Sequence, residues 1–246
     1  FYAALFDPEH RAEHEGSRPY PFFLASPREE PPESLGGLAD WQAEWKWDGI
    51  RAQLVKRGGR VYAWSRGEEL ITERFPEIVA AAARLPDGLV LDGEILAWDE
   101  TAGVQPFGVL QTRIGRTKLS KKLLESTPVR FLVYDLLEQE REDLRARPLA
   151  ERRARLQGLL ANVPPPIMLG GVVQAGSWAE LAALRESSRE RRVEGLMLKK
   201  LDSAYGTGRT RGTWWKWKIE PYTFDAVMVY AQPCHCRRSC LYTDYT

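Results

Sequence analysis

Two short stretches constrain this chain more than any others: Glu44-Trp45-Lys46-Trp47-Asp48 and Trp215-Lys216-Trp217-Lys218, each alternating tryptophan with charge. In an extended strand, successive side chains point to opposite faces. Trp45 and Trp47 therefore share one face, while Glu44, Lys46 and Asp48 share the other. Trp215 and Trp217 separate from Lys216 and Lys218 in the same way. A fold that buries both sets of tryptophans aims the lysines into common space, where they suit a polyphosphate. Taken singly, each segment also reads as an amphipathic surface strand, because lysine is usually solvated.

The surrounding pattern gives these strands a setting. Strand-like residues 51–55 and 61–65 flank Gly58-Gly59, which predicts a tight hairpin. Residues 75–85 are Ala-rich, with Pro76 suited to the first helical position, and predict a helix. Residues 89–98 and 129–137 read as largely buried strands. Residues 149–160 predict a helix with Leu149, Leu156, Leu159 and Leu160 as apolar anchors. Ser177 followed by Glu180 is a capping box opening a helix to about residue 191. Residues 193–201 and 213–219 read as strands, and 224–231 begins another after Pro221. Residues 1–40, punctuated by Pro27, Pro31, Pro32, Gly36 and Gly37, read as a connecting segment and surface loop. Strands and helices mix without regular βαβ alternation, so the expected class is α+β.

Two further segments, Asp92-Gly93-Glu94 and Glu194-Gly195, embed carboxylates in apolar runs. Such charges are costly to bury unless paired, hydrogen-bonded or holding a metal. The plainer reading is an edge-strand carboxylate facing water. Arg113, Arg116, Lys118, Lys121 and Lys122 form a basic run without an intervening acid, a candidate DNA-phosphate contact or else a solvated face. Arg209 and Arg211, in the Tyr205-Gly206-Thr207-Gly208-Arg209 stretch and just after it, either extend that surface or belong to a turn that Gly206 and Gly208 shape. With 35 Lys and Arg against 34 Asp and Glu, net charge is +1, so any nucleic-acid surface must be local. No stretch approaches the roughly 18 apolar residues of a membrane span, and no signal peptide opens the chain. Cys234, Cys236 and Cys240 are odd in number and clustered, which argues against a disulfide framework and fits a reducing cytoplasm. With His235 they lack paired C-x-x-C units, so a turn with incidental thiols is preferred over a metal site.

Lys46-Trp47-Asp48-Gly49-Ile50-Arg51 resembles the K-x-D-G-x-R signature of covalent nucleotidyltransferases: ATP-dependent DNA ligases, RNA ligases and mRNA capping enzymes. Ser65-Arg66-Gly67, Asp92-Gly93-Glu94, Tyr134-Asp135, Glu194-Gly195 and Lys216-Trp217-Lys218 follow in order and resemble the remaining nucleotide-binding motifs up to the last. The wording is most similar to bacterial ATP-dependent DNA ligases. The resemblance implies an adenylation domain of two antiparallel sheets flanked by helices over residues 21–221. A connecting segment over 1–20 precedes it, and the first strands of a truncated OB-fold over 222–246 follow. Both chain ends read as cut, so a separate N-terminal DNA-binding domain and the rest of the OB-fold are expected elsewhere in the same protein. The family's final motif would lie beyond Thr246, which predicts slow or absent self-adenylation of this chain alone.

The resemblance also implies ATP and Mg2+ as cofactors, nicked double-stranded DNA as partner, and a bacterial cytoplasm, at the nucleoid during repair. Lys46 is implied as the nucleophile that becomes AMP-modified. Glu44 and the Trp45 backbone would meet the adenine edge and Tyr134 would stack on its face. Arg51, Arg66 and Glu94 would contact ribose, phosphate or the 5′ end of the nick. Glu194 would position the metal, Lys216 and Lys218 would hold the α-phosphate, and Asp48, Gly49, Asp92, Gly93 and Gly195 would support the motifs. A lysine, with a reference pKa of about 10.4, is unreactive while protonated. Arg51, Lys216, Lys218 and the metal are expected to disfavour its charged form and to neutralise the phosphate during in-line displacement. An RNA ligase or capping-type enzyme is the alternative within the superfamily. A catalytically silent nucleic-acid-binding module is a further alternative, and it leaves the ordered lysines and carboxylates unexplained.

Overall fold

The computed structural model describes residues 16–116, 119–220, 231–233 and 242–245. Two short strands, β1 (Phe23–Leu24) and β2 (Ser26–Pro27), precede β3 (Trp41–Trp47), β4 (Ile50–Arg57) and β5 (Arg60–Ser65). Helix α1 (Pro76–Ala82) leads to β6 (Leu89–Asp99) and β7 (Gly103–Val104), and α2 (Phe107–Ile114) and α3 (Lys121–Ser126) lead to β8 (Val129–Gln139) and β9 (Glu142–Asp143). After α4 (Leu149–Leu160) come β10 (Ile167–Leu169), β11 (Val172–Val173), α5 (Trp178–Glu186), β12 (Val193–Lys200), β13 (Gly208–Arg209) and β14 (Trp214–Lys218). Two further strands, β15 (Ala231–Pro233) and β16 (Tyr242–Tyr245), pair antiparallel with each other.

Two sheets carry the fold. One runs β10-β8-β6-β4-β5, with β7 and β9 attached to β6 and β8; the other runs β11-β3-β12-β14-β2. Most neighbours are antiparallel, but β10 joins β8 and β2 joins β14 in parallel. The class is α+β as expected, with mixed rather than purely antiparallel sheets. Gly58 and Gly59 turn β4 into β5 with φ of 59° and 73°, the two positive values a two-residue type I′ turn requires.

The first core lies between the first sheet and helices α1, α2 and α4, and includes Leu54, Leu91, Phe131, Ile78, Leu110 and Leu156. The second packs α5 residues Trp178 and Leu181 onto Trp41, Leu196, Leu198 and Trp217. A third, around Phe23, Val55, Val90, Tyr205 and Trp214, lies where the N-terminal segment bridges the sheets. That segment corrects the expectation of a surface loop. Phe23 is buried, and the Tyr20 backbone exchanges two hydrogen bonds with the Gln53 side chain. Aromatic residues interleaved with the prolines supply the burial, and Pro27 is tolerated because β2 is an edge strand.

One helix follows the sequence closely and another departs from it at its C-terminal end. Helix α4 covers the expected residues, with Leu149, Leu156 and Leu160 buried. The first N–H groups of α4 find partners outside the helix: Leu149 N donates to Ser203 O and Ala150 N to Leu201 O. Ser177 caps α5 by accepting from Glu180 N at 3.1 Å, while Glu180 reaches back to Gly176 N at 2.7 Å. This helix ends at Glu186, short of residue 191. The Ser187 and Ser188 hydroxyls donate to the Leu184 and Arg185 carbonyls and draw the chain into a turn. Among the described residues no helix is long and apolar enough to cross a membrane. The strand expected over 224–231, except Ala231, and the Cys234, His235, Cys236 and Cys240 cluster lie outside the described residues, as does Lys118.

Candidate active site

The two sheets face each other across a cleft of about 740 Å³. Strand β3 belongs to one sheet and β4 to the other, so the chain crosses between them at Asp48-Gly49. The crossing is tight: a Cβ on Gly49 would lie 2.4 Å from the Ile95 carbonyl oxygen. This close approach accounts for the glycine in the motif, and the spacing places Lys46 on one wall and Arg51 on the other.

The first wall carries the amines. Lys46 Nζ donates to Glu194 Oε2, and Lys218 Nζ lies 3.0 Å from the same oxygen. Lys216 lines the cleft beside its cross-strand neighbour Met197. The side chains at 46, 194, 216 and 218 therefore share one space. Simple alternation would have sent Glu194 to the core with Leu196 and Leu198. A register shift between Val193 and Leu196 reverses its side, with Gly195 at φ 132°. Only glycine suits that bulge, because a Cβ there would lie 2.3 Å from the Trp217 carbonyl oxygen.

The charges on this wall shape one another. Burial opposes ionisation of Glu194, but its hydrogen bonds and attraction to Lys46 and Lys218 prevail and hold its carboxyl below the ordinary value. Asp48 is open to solvent on one side. Local desolvation and the negative charge of Glu194 push its carboxyl up. Partial burial, then Arg209, Lys218 and Lys46, push the Lys216 amine down. The direct partner of Lys46 is the acid Glu194, while the expected cations Lys216, Lys218 and Arg51 line the same cleft.

The opposite wall separates two carboxyls that look alike in sequence. Asp92 is fully buried; it accepts from Arg51 at 2.7 Å and from the Tyr205 hydroxyl at 2.7 Å. Arg51 also donates to the Phe23 carbonyl at 2.6 Å, so its charge is matched and its direction set before any ligand arrives. Glu94 faces the cleft with no hydrogen bond to its carboxyl among the described residues, and burial pushes it up to about 8. Tyr134 and the exposed Arg66 also line the cleft.

Two candidates, Arg113 and Arg209, have other places than expected. Asp135, the neighbour of Tyr134 in its motif, is fully buried and takes two hydrogen bonds from buried Arg152, at 2.8 and 2.9 Å. Arg113 is corrected as a DNA contact. It is fully buried, donates to Glu77 twice at 2.6 Å and to the Arg74 and Thr127 carbonyls, and lies over Phe75. Helical spacing puts it on the inward face of α2 with buried Leu110. Arg116, Lys121 and Lys122 remain exposed. Arg209 lines the cleft near Lys216 instead of extending the basic run.

Sequence reasoning missed Lys199 and Tyr205. Lys199 lines the cleft and pairs with Glu44 at 2.7 Å. Its signal was available, since strand alternation puts it on the face of Met197. Tyr205 sits in a loop whose path nothing local specifies. Among the described residues no group of three or more His, Cys, Asp or Glu gathers as a metal site.

The family model described as ATP dependent DNA ligase domain matches residues 23–218. The probable DNA ligase of Koribacter versatilis is 34% identical over 250 residues, covering 93% of this chain and 43% of that protein. The probable DNA ligase of Anaeromyxobacter sp. is 38% identical over 210 residues, covering 85% and 40%. Among solved structures, a mycobacterial DNA ligase D complexed with ATP and MES superposes with a TM-score of 0.64 at 30% identity, over 80% of this chain and 60% of that one. The chain thus spans 43% and 40% of the length of these two curated relatives. Matched from the bridging N-terminal segment through the last lysine of the cleft, it belongs to the ATP-dependent DNA ligase domain family.

Proposed function

We propose that this chain is the adenylating part of a DNA ligase that activates itself with ATP and seals nicked double-stranded DNA. The observation that carries the reading is the convergence of Lys46 and Lys218 on Glu194, with Lys216 on the same wall and Arg51 and Glu94 opposite. The uncharged Lys46 amine attacks the α-phosphorus of ATP; the N–P bond forms, the bond to pyrophosphate breaks, pyrophosphate leaves, and the nitrogen gives up one N–H proton. AMP then passes to the 5′-phosphate of the nick, and the 3′-hydroxyl displaces it. Lys216, Lys218 and Arg209 offset charge on the phosphate oxygens. Glu44 and Tyr134 receive the adenine. Arg51 and Arg66 hold ribose or phosphate, and a protonated Glu94 can donate to a ribose hydroxyl as well as accept from one.

The acids on the lysine wall suit magnesium. Glu194 and Asp48 are close enough for one to raise the other's pKa, a repulsion a divalent cation relieves. Held by these two and phosphate oxygens, the ion would supply charge neutralisation. Arg116, Lys121 and Lys122 are the exposed cations offered to DNA phosphates. In this reading residues 21–221 are the adenylation domain, 1–20 lead into it and 222–246 begin an OB-fold. The rest of a longer cytoplasmic bacterial protein supplies the remaining DNA contacts.

The test is labelling with α-labelled ATP and magnesium in the full-length protein. A covalent label that survives denaturation is expected, and Lys46→Ala or Lys46→Arg should abolish it. Labelling by GTP alone, or sealing only of RNA ends, would replace this reading, and absence of any label would contradict it.

A further inference from the structure

We propose that Lys199 is a positioning residue that fixes Glu44 as a hydrogen-bond acceptor toward the nucleobase and so sets the preference for adenine over guanine nucleotides; this rests on reading the cleft as an ATP site. Glu44 is 5% exposed and Lys199 is 1% exposed, yet both line the cleft. Each Glu44 oxygen already has a protein donor: Gln42 Nε2 at 2.6 Å on Oε1, and Lys199 Nζ at 2.7 Å on Oε2. An ionised carboxylate has about four acceptor positions, so it can still accept from the cleft side but cannot donate. Adenine presents an exocyclic amine at the position where guanine presents a carbonyl.

Lys199 is itself held without alternatives. Its Nζ lies 4.2 Å from the Tyr134 ring centroid and 4.5 Å from that of Trp214, a box of π-faces that favours a cation. An ammonium has donors only, so it cannot let the carboxylate turn over. It also neutralises Glu44 within a cleft meant for a polyanion, where an unmatched carboxylate would repel the ligand. Released from Lys199, the carboxylate could swing to the N1–H and amino group of guanine, and selectivity would fall.

The experiment measures equilibrium binding of radiolabelled ATP and GTP to the chain and to Lys199→Arg, Lys199→Gln and Lys199→Met, with thermal melts to confirm folding. Wild type is expected to favour ATP. Lys199→Met should shrink the ATP-to-GTP affinity ratio by about tenfold, the scale of one hydrogen bond to a charged group. Lys199→Gln should fall between, and Lys199→Arg should stay near wild type. If Lys199→Met does not fold, Lys199→Gln decides. A folded Lys199→Met or Lys199→Gln with an unchanged ratio, or with equal weakening of both nucleotides, would overturn the proposal. Wild type that binds neither nucleotide would overturn the ATP reading beneath it.

Discussion

Arg152–Asp135 and Lys46–Glu194 are both pairs of opposite charge that join distant parts of the chain, and they sit in very different surroundings. Both side chains of the first are 0% exposed, while those of the second are 23% and 33% exposed. Arg152 also donates to the Ser203 carbonyl, and Asp135 accepts from the Leu136 backbone, so little capacity remains for anything else. Glu194 is instead shared by two amines and open to the cleft. A satisfied buried pair binds β8 to α4, whereas a half-open shared one can be rearranged by a ligand. Stability and chemistry are thus assigned to different ion pairs.

The contrast breaks if the two pairs respond alike to mutation. Asp135→Ala leaves a buried guanidinium unmatched and is expected to cost about 3–5 kcal/mol, read from the denaturant midpoint. Glu194→Gln should change stability by no more than about 1 kcal/mol while removing the ATP label. A large drop in stability for Glu194→Gln would erase the distinction. Gly195→Ala tests how Glu194 reached the cleft. The added methyl meets the Trp217 carbonyl, so labelling should fall more steeply than the melting temperature; unimpaired labelling would count against the bulge.

Smaller effects sharpen the picture. Folding lifts the Glu94 carboxyl from 4.5 to about 8. Between those values the folded protein keeps a proton that the unfolded chain has released, so stability declines as pH rises through that window. Melts from pH 5 to 8.5 should show that decline weakened in Glu94→Gln, and an unchanged slope would contradict the assignment. The smallest effect on binding is expected at the surface. Lys121→Glu with Lys122→Glu should flatten the salt dependence of nicked-DNA binding by about 0.9 for each DNA phosphate no longer neutralised, whereas Arg113→Met should leave that dependence unchanged and lower the melting temperature, because the Arg74 and Thr127 carbonyls lose their donor.

Much of this was legible because it depends on local rules. The alternation in β3 and β14 placed Lys46, Lys216 and Lys218 on one wall, and the paired glycines placed the β4–β5 hairpin. Residues 149–160 carried a helix whose anchors are where their spacing put them. What escaped was decided by tertiary context. Asp92 and Glu94 have the same local setting, but only Asp92 meets an arginine and a tyrosine. Arg113 and Arg116 belong to one basic run, and helix phase buries the first. Glu194 required a bulge that parity cannot foresee, and the N-terminal segment hid its aromatic anchors among prolines.

The central claim is that Lys46, and not Lys199, Lys216 or Lys218, is the amine that bonds to the nucleotide. The direct measurement is peptide mass spectrometry of the full-length protein after incubation with ATP and magnesium. Adenylate is expected on the peptide containing Lys46 and on no other. Adenylate on Lys216 or Lys218, with Lys46 unmodified, would contradict the claim.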